Sequence, residues 1–242
     1  MKHKQKIGIT GAFGYLGSNF INSYCNEYNI NCLDRTKTKN IKVNLKKINK
    51  IIIANVNDKK KVFSFLEKRK IILYKAGVLG GPNSSNISQA KNFLKNNFEN
   101  LKFFLTYAEQ FKINKIIFDS SEQVYGNGDN SINDLTSFEP NPMNFYGLSK
   151  LGSEKLLLDW SLKNGTSVDI LRYPRIVGSG SYGVLSKMAN DALNKNKIYI
   201  NDSPDKRISL IHINDVIDAN RKTIKETNTG YRIFNICNNA NN

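Results

Sequence analysis

The chain has 242 residues and a net charge of +16 at pH 7 that is spread along its length, which favours a small anionic ligand over a nucleic-acid partner. It contains no run of about 18 apolar residues and no apolar signal-peptide core after its charged start, so we expect no membrane partner. Cys25, Cys32 and Cys237 lack the spacing of a metal site or a disulfide pair, so we expect reduced thiols, no metal and a cytoplasmic location.

Short apolar runs alternate with amphipathic stretches, a pattern typical of an α/β fold in which helices cover both faces of a parallel sheet. The predicted strands are 6–10, 30–34, 51–54, 71–75, 115–120 and 168–173. The predicted helices are 15–28, 58–68, 88–111 and 144–164. The third helix carries apolar residues on more than one face, so we expect it to pack both on the sheet and against a partner.

Beyond residue 175 the pattern changes. Helices are predicted at 181–195 and 213–226, and short strands at 198–200, 208–212 and 231–237. We expect a small second lobe that is interleaved with the last strand of the sheet. Because ligands of open α/β sheets bind at the carboxyl ends of the strands, functional residues are expected there.

The first predicted strand leads into GITGAFGYLGSNF, in which Gly11, Gly14 and Gly17 recur every three residues. This spacing fits a tight turn whose backbone approaches a pyrophosphate at a helix N-terminus. Asp34 ends the second strand, where a carboxylate accepts hydrogen bonds from both hydroxyls of an adenine ribose. Together they predict a dinucleotide site that prefers NAD to NADP. Arg35 weakens that preference, since a guanidinium can neutralise a 2′-phosphate.

Tyr146 and Lys150 lie four residues apart in FYGLSKLGSEK, and therefore on one face of a helix. Upstream, FDSSEQVYG places Ser121 at the end of a predicted strand. A phenol with a pKa of about 10 is a poor base at neutral pH, but a nearby ammonium and a cationic nicotinamide favour the phenolate. The set predicts hydride transfer with Tyr146 as base, Ser121 orienting the substrate hydroxyl and Lys150 holding the nicotinamide ribose.

In this order, the motifs resemble those of the extended short-chain dehydrogenase/reductase family, the NAD-dependent nucleotide-sugar epimerases and dehydratases. The similarity runs from TGAFGYLG to the last residues. It implies a Rossmann-type doubly wound parallel sheet, with an NAD-binding domain at 1–174 and a small, truncated substrate lobe at 175–242. It also implies a homodimer formed through the helices at 88–111 and 144–164.

The resemblance also implies roles for further residues. The backbone of Tyr15 and Leu16 would bind the cofactor phosphates, and Pro174 would lie near the nicotinamide. Arg207 matches a family arginine that binds the diphosphate of the nucleotide-sugar, a role that suits a guanidinium fork. The other cofactor-binding positions are Asn55, Val56, Ala76, Gly77 and Asn97, and the other substrate-binding positions are Glu122 and Arg175.

The chain departs from the family pattern at several positions. Asn55 replaces a carboxylate at the adenine edge, and Lys75 stands where an apolar or aromatic residue is usual. Arg175 stands where many relatives have an asparagine that touches the sugar. Dehydratases commonly have a Glu where this chain has Gln123, and an amide cannot exchange a proton at neutral pH. Relatives continue for several elements beyond Asn242, so we expect a reduced lobe or an altered activity.

The leading hypothesis is therefore an NAD-dependent epimerase that acts at a sugar carbon of a nucleotide-sugar, most simply C4, without 4,6-dehydratase activity. Two alternatives stay open: a reductase of 4-keto sugars that uses NADH or NADPH, and a non-catalytic NAD-binding scaffold. The sequence leaves the nucleotide and the sugar undetermined.

Overall fold

The computed structural model describes residues 4–37, 43–81, 83–126, 139–195, 197–198 and 208–237. The strands in these ranges are β1 Gln5–Thr10, β2 Tyr28–Asp34, β3 Lys50–Ile53, β4 Ile71–Tyr74, β5 Lys115–Ser121, β6 Ser167–Tyr173, β7 Arg175–Val177, β8 Leu210–His212 and β9 Tyr231–Asn235. The α-helices are α1 Tyr15–Tyr24, α2 Lys59–Leu66, α3 Ile87–Phe93, α4 Asn100–Ala108, α5 Phe145–Asn164, α6 Val184–Lys195 and α7 Ile213–Lys225.

Seven of these strands form one parallel sheet in the order β3-β2-β1-β4-β5-β6-β9. The predicted doubly wound sheet is confirmed, and its six predicted strands lie within two residues of their predicted bounds. Strand β1 pairs with β2 on one side and β4 on the other, so the strand order reverses there. The crevice at the carboxyl ends of β1 and β4 is the usual ligand site of such a sheet.

Each face of the sheet has its own hydrophobic core. In β1, Ile7 and Ile9 point into the core covered by α1 and α7, while Gly8 faces the core covered by α2, α4 and α5. A Cβ on Gly8 would lie 2.7 Å from the ring of Phe65 in α2. Glycine at this position therefore lets α2 pack close to the central strand. Because successive side chains of a strand point to opposite faces of the sheet, one strand contributes residues to both cores.

Two predicted helices differ from the structure. Helix α1 ends at Tyr24 rather than at residue 28, because Tyr28 is already paired with Gln5 in the sheet. The predicted helix 88–111 consists of α3 and α4, joined by a π-helical segment at Leu94–Glu99. That wider turn brings Asn97 inward, where it is 2% exposed. Such turns are frequent at functional sites.

The C-terminal elements divide between two places. Helix α7 packs against α1, and β9 joins the edge of the large sheet beside β6. Strands β7 and β8 pair with each other in a separate two-stranded sheet. Part of the predicted strand 198–200 lies outside the described residues. None of the helices in the described ranges has the length and apolar character needed to cross a membrane.

Candidate active site

The loop after β1 is a tight turn, and its close packing requires glycine at two positions. Gly11 has a φ of +61°, and a Cβ there would lie 2.6 Å from the carbonyl oxygen of Lys75. A Cβ on Gly17 would lie 2.5 Å from the carbonyl oxygen of Gly11. Gly14 is different, since its Cβ would meet the Gly11 carbonyl oxygen at 3.2 Å and no second heavy atom within 4 Å among those described. Two glycines therefore serve the fold, and Gly14 keeps the outer side of the loop open.

Helix α1 begins at this loop without a side-chain cap and without an acidic residue in its first turn. Four other helices begin with a side chain that accepts a backbone N–H bond, namely Asp58, Asn86, Asn144 and His212. The first-turn N–H groups of α1, including those of Tyr15 and Leu16, are therefore available to an anion. The glycine loop and the uncapped helix fit the pyrophosphate of a dinucleotide.

Asp34, at the carboxyl end of β2, holds this loop in place. Its Oδ2 accepts a hydrogen bond of 2.7 Å from the Phe13 amide, and its Oδ1 lies 3.5 Å from the Thr36 amide nitrogen. Arg35 extends in another direction and donates from Nη1 to Oδ1 of Asn96 at 3.2 Å. The carboxylate that sequence assigns to the adenine ribose therefore also orders the phosphate loop.

The residues after β3 lie at the same carboxyl edge of the sheet as Asp34. Asn55 is half-buried, and its Oδ1 accepts a bond of 3.3 Å from the Asn57 amide. Val56 is buried in the second core. The amide of Asn55 is thus partly engaged in its own turn, while Val56 provides apolar packing.

The loop after β4 is tied to β1. Thr10 Oγ1 accepts hydrogen bonds from the amides of Lys75 and Ala76, at 3.1 and 3.2 Å. Sequence reasoning missed Thr10, although a buried hydroxyl immediately before the glycine turn is a signal that could have indicated it. These bonds fix the backbone of the predicted cofactor contact at Ala76.

Asn97 joins this loop to α5. Its Oδ1 accepts from the Val78 amide at 2.8 Å, and its Nδ2 donates to Ser149 Oγ at 3.0 Å. Gly77 packs against it, since a Cβ there would lie 2.8 Å from Asn97 Oδ1. The side chain predicted to bind cofactor is therefore used inside the protein, where it positions the loop around Gly77.

The three predicted catalytic side chains converge beyond the end of β5. Ser121 acts on the Tyr146 hydroxyl as a hydrogen-bonding group that lowers its pKa, and Ser121 Oγ accepts from the Gln123 amide at 3.2 Å. Lys150 Nζ donates to the carbonyl oxygen of Asp119 at 2.7 Å and lies 5.9 Å from the centroid of the Tyr146 ring.

Burial moves both titrating groups away from their usual ranges. Burial raises the pKa of Tyr146 to about 12, although the Ser121 hydrogen bond acts to lower it. Burial lowers the pKa of Lys150 to about 8, against the opposing influence of Asp119 and Glu154. At neutral pH the phenol is therefore protonated, and the ammonium is close to its point of titration.

Gly80, in the loop after β4, and Phe93 pack against Tyr146. A Cβ on Gly80 would lie 2.6 Å from Tyr146 Cδ1, and the Phe93 ring lies 5.8 Å from the Tyr146 ring, centroid to centroid. Ser84 Oγ accepts from the Gly81 amide at 2.8 Å and stabilises the turn. The first glycine of VLGGP, Gly80, was the sequence signal for this close approach, and sequence reasoning missed it.

The predicted sugar-binding residues lie beside Ser121. Glu122 Oε1 is 3.6 Å from Nη1 of Arg175, which starts β7 after Pro174. Burial raises the pKa of Glu122, and the Arg175 charge opposes that change. Arg207 lies outside the described residues. No group of three or more His, Cys, Asp or Glu side chains in the described part of the chain could hold a metal ion.

Comparisons with known proteins give matches over most of the chain. Residues 7–237 match the family model described as the NAD dependent epimerase/dehydratase family. A dTDP-D-glucose 4,6-dehydratase of Dictyostelium discoideum is 28% identical over 96% of this chain and 58% of its own length. N-acetyl-alpha-D-glucosaminyl-diphospho-ditrans,octacis-undecaprenol 4-epimerase of Escherichia coli O157:H7 is 22% identical over 94% of this chain and 65% of its own length. The chain thus spans less than two thirds of either relative.

The fold is shared with solved structures. UDP-glucuronic acid 4-epimerase from Bacillus cereus, in complex with UDP-glucuronic acid and NAD, has a TM-score of 0.86 at 19% identity. That match covers 96% of this chain and 77% of the solved chain.

The glycine loop gives a first prediction. Gly11→Ala should lower the free energy of unfolding by about 2 kcal/mol or more, because Ala is strained at positive φ and its Cβ would meet backbone. Gly14→Ala should unfold close to the wild-type midpoint, since its one close contact can relax. Thermal unfolding followed by circular dichroism distinguishes the two, and equal losses in both variants would contradict the division of roles.

Proposed function

Since the chain belongs to the NAD-dependent epimerase/dehydratase family, whose model matches residues 7–237, we propose that it epimerises a nucleotide-sugar at C4 with NAD as cofactor. The observation that carries this proposal is the convergence of Ser121, Tyr146 and Lys150 beside an uncapped glycine loop. The curated 4-epimerases that match the chain support the choice of C4.

The cofactor would be held along the carboxyl edge of the sheet. The amides of Tyr15 and Leu16 would bind the pyrophosphate, Asp34 the adenine ribose and Lys150 the nicotinamide ribose. Arg35, on the exposed side of Asp34, would lie near the adenine. When bound, NAD supplies a ring that accepts a hydride from the sugar and later returns it.

Tyr146 would carry the proton of this reaction. With a pKa of about 12 in the protein alone, its phenol needs positive charge nearby before it can act as a base, and Lys150 supplies one such charge. Ser121 would orient the sugar hydroxyl so that Tyr146 Oη takes its proton and gives it back when the hydroxyl re-forms. The product is an isomer of the substrate, with no net oxidation.

We propose that β7 and the residues after it, including Arg175, contribute to sugar binding beside residues 1–174, which would form the NAD-binding domain. Glu122 and Arg175 form an ion pair at the mouth of the site. Polar groups of both signs at this position would suit a sugar with several hydroxyls.

Tyr146→Phe tests the mechanism. Loss of the hydroxyl should reduce turnover by at least about 100-fold and leave NAD affinity nearly unchanged, because Tyr146 acts on the sugar. Lys150→Ala should weaken both. Calorimetry with NAD and assays with UDP-, GDP-, CDP- and dTDP-hexoses measure the two properties.

Tyr24→Phe is the matched control, since the Tyr24 hydroxyl lies 3.5 Å from Oδ1 of Asp218, at the end of α1 opposite the glycine loop. Its turnover should equal that of the wild type. Full activity in Tyr146→Phe would remove Tyr146 from the mechanism.

The residue after Glu122 bears on dehydration. Gln123 Oε1 accepts a bond of 2.8 Å from Nδ2 of Asn144, the residue that caps α5. An amide has no proton to exchange at neutral pH, and here it is engaged in holding the start of the helix. Glu122 extends instead toward Arg175. The turn therefore offers no second acid–base pair at these positions.

We expect no 4,6-dehydratase activity for that reason. NAD-loaded protein incubated with the four classes of nucleotide-hexose should give products of unchanged mass. Mass spectrometry detects the alternative directly, because a 4-keto-6-deoxy product is lighter by one water. Accumulation of that product would overturn the assignment of Gln123 and favour dehydration over epimerisation.

We also propose a homodimer through α3, α4 and α5. These helices and the π-helical segment Leu94–Glu99 pack beside one another. They carry exposed large apolar side chains: Ile87, Leu94, Phe103, Leu148 and Leu162. Apolar side chains exposed together on packed helices mark an interaction surface, and a second copy of the chain would cover them.

Light scattering should therefore give twice the mass of one chain at micromolar concentration. Replacing both Leu94 and Leu148 with Lys should give single chains, whereas Leu79→Lys, on the exposed loop after β4, should not. A single-chain mass for the wild type would rule the dimer out.

A further inference from the structure

A buried ion pair lies directly beneath the catalytic lysine. The side chains of Lys75 and Asp119 are 2% and 8% exposed. Lys75 Nζ donates to both carboxylate oxygens of Asp119, at 3.0 and 2.7 Å, and to Oδ1 of Asn220 at 2.7 Å. These three bonds use all three protons of an ammonium group.

One further side chain, that of Tyr173, closes the network into a ring. The Tyr173 hydroxyl donates to Asp119 Oδ1 at 3.3 Å and accepts from Asn220 Nδ2 at 2.7 Å. Asn220 Nδ2 also donates to the Val216 carbonyl at 2.9 Å. The ring joins the loop after β4, the strands β5 and β6, and helix α7. Burying such a pair is costly, and an apolar pair could fill the same space at no loss of stability, so stability alone does not account for it.

The position of the ring suggests what it does. Asp119 also contacts the proposed catalytic lysine through its backbone, because its carbonyl oxygen accepts from Lys150 Nζ at 2.7 Å. Asp119 and Glu154 raise the pKa of Lys150, and Lys75 lowers it. The rings of Phe118 and Tyr146 also face Lys150 Nζ, with centroids at 4.8 and 5.9 Å.

We propose that Lys75 is a positioning residue that fixes the Asp119 side chain and so holds the Asp119 carbonyl where it directs Lys150 toward Tyr146 and the nicotinamide ribose. This inference rests on the proposed function, since Lys150 is the group assigned to the cofactor. Without Lys75, the buried carboxylate would be left unpaired, and the backbone at Asp119 would shift to give it another partner. The carbonyl that holds Lys150 would move with it, and Lys150 would lose its position beside the ribose.

The test is a double-mutant cycle of Lys75→Met and Asp119→Asn, read as NAD affinity by calorimetry between about pH 6 and pH 10. In the wild type, affinity should fall as pH rises through about 8, where Lys150 loses its charge. Lys75→Met removes a repelling charge, so this midpoint should move to higher pH. Affinity at pH 7 should also fall about tenfold, because the carbonyl that holds the ammonium is displaced.

Asp119→Asn should move the midpoint the other way, to lower pH, because the larger attracting charge is removed. The double variant removes both charges and should return midpoint and affinity close to the wild type. Opposite shifts that cancel distinguish positioning from a loss of packing. If Lys75→Met does not fold, the pH midpoint and the NAD affinity of Asp119→Asn and of the double variant, each compared with the wild type, test the role of Lys75.

Lys115→Met is the matched control. Lys115 Nζ lies 3.2 Å from Asp169 Oδ2 in another buried pair, at the opposite end of β5. This variant should lower the thermal midpoint without moving the pH dependence of NAD binding. Unchanged NAD binding in Lys75→Met, or an equal shift in Lys115→Met, would overturn the role of Lys75. A wild-type protein that does not bind NAD would overturn the proposed function itself, and this inference with it.

Discussion

The backbone contact between Gly11 and Lys75 is the constraint from which the arrangement of the site follows. The turn after β1 can lie this close to the loop after β4 because Gly11 has no Cβ and adopts a positive φ. Thr10 then bonds to the amides of Lys75 and Ala76. The side chain of Lys75 continues inward to Asp119, whose carbonyl holds Lys150. One close approach thus connects the glycine loop to Lys150, the lysine proposed to act in catalysis.

Burial then sets the chemistry of the groups so positioned. The same low-dielectric surroundings that raise the pKa of Tyr146 lower that of Lys150, because each shift disfavours the charged form. The protein alone therefore holds a protonated phenol beside an ammonium that is close to titration. A phenol that becomes a base only when positive charge comes close to it is suited to a proton transfer that accompanies hydride transfer.

The sequence predicted the parts of the structure that depend on local pattern. Strand positions follow from short apolar runs, the glycine turn from its three-residue spacing, and the common face of Tyr146 and Lys150 from the helical period. Contacts between distant segments were not predictable in this way. The π-helical turn brings Asn97 to the Val78 amide, 19 positions away, and the pair of Lys75 with Asp119 joins residues 44 positions apart.

The turn after β5 links positioning to the choice of reaction. Ser121 and Gln123 are held by the same short turn, the first on the phenol of Tyr146 and the second on the cap of α5. A carboxylate in place of Gln123 could move a proton. It would also put a negative charge on the group that accepts the hydrogen bond from Asn144. The amide instead fixes the helix that carries Tyr146 and Lys150. On the proposed mechanism, the proton moved at this site is the one that Tyr146 takes from the sugar hydroxyl and returns, which suits a reaction whose product is an isomer.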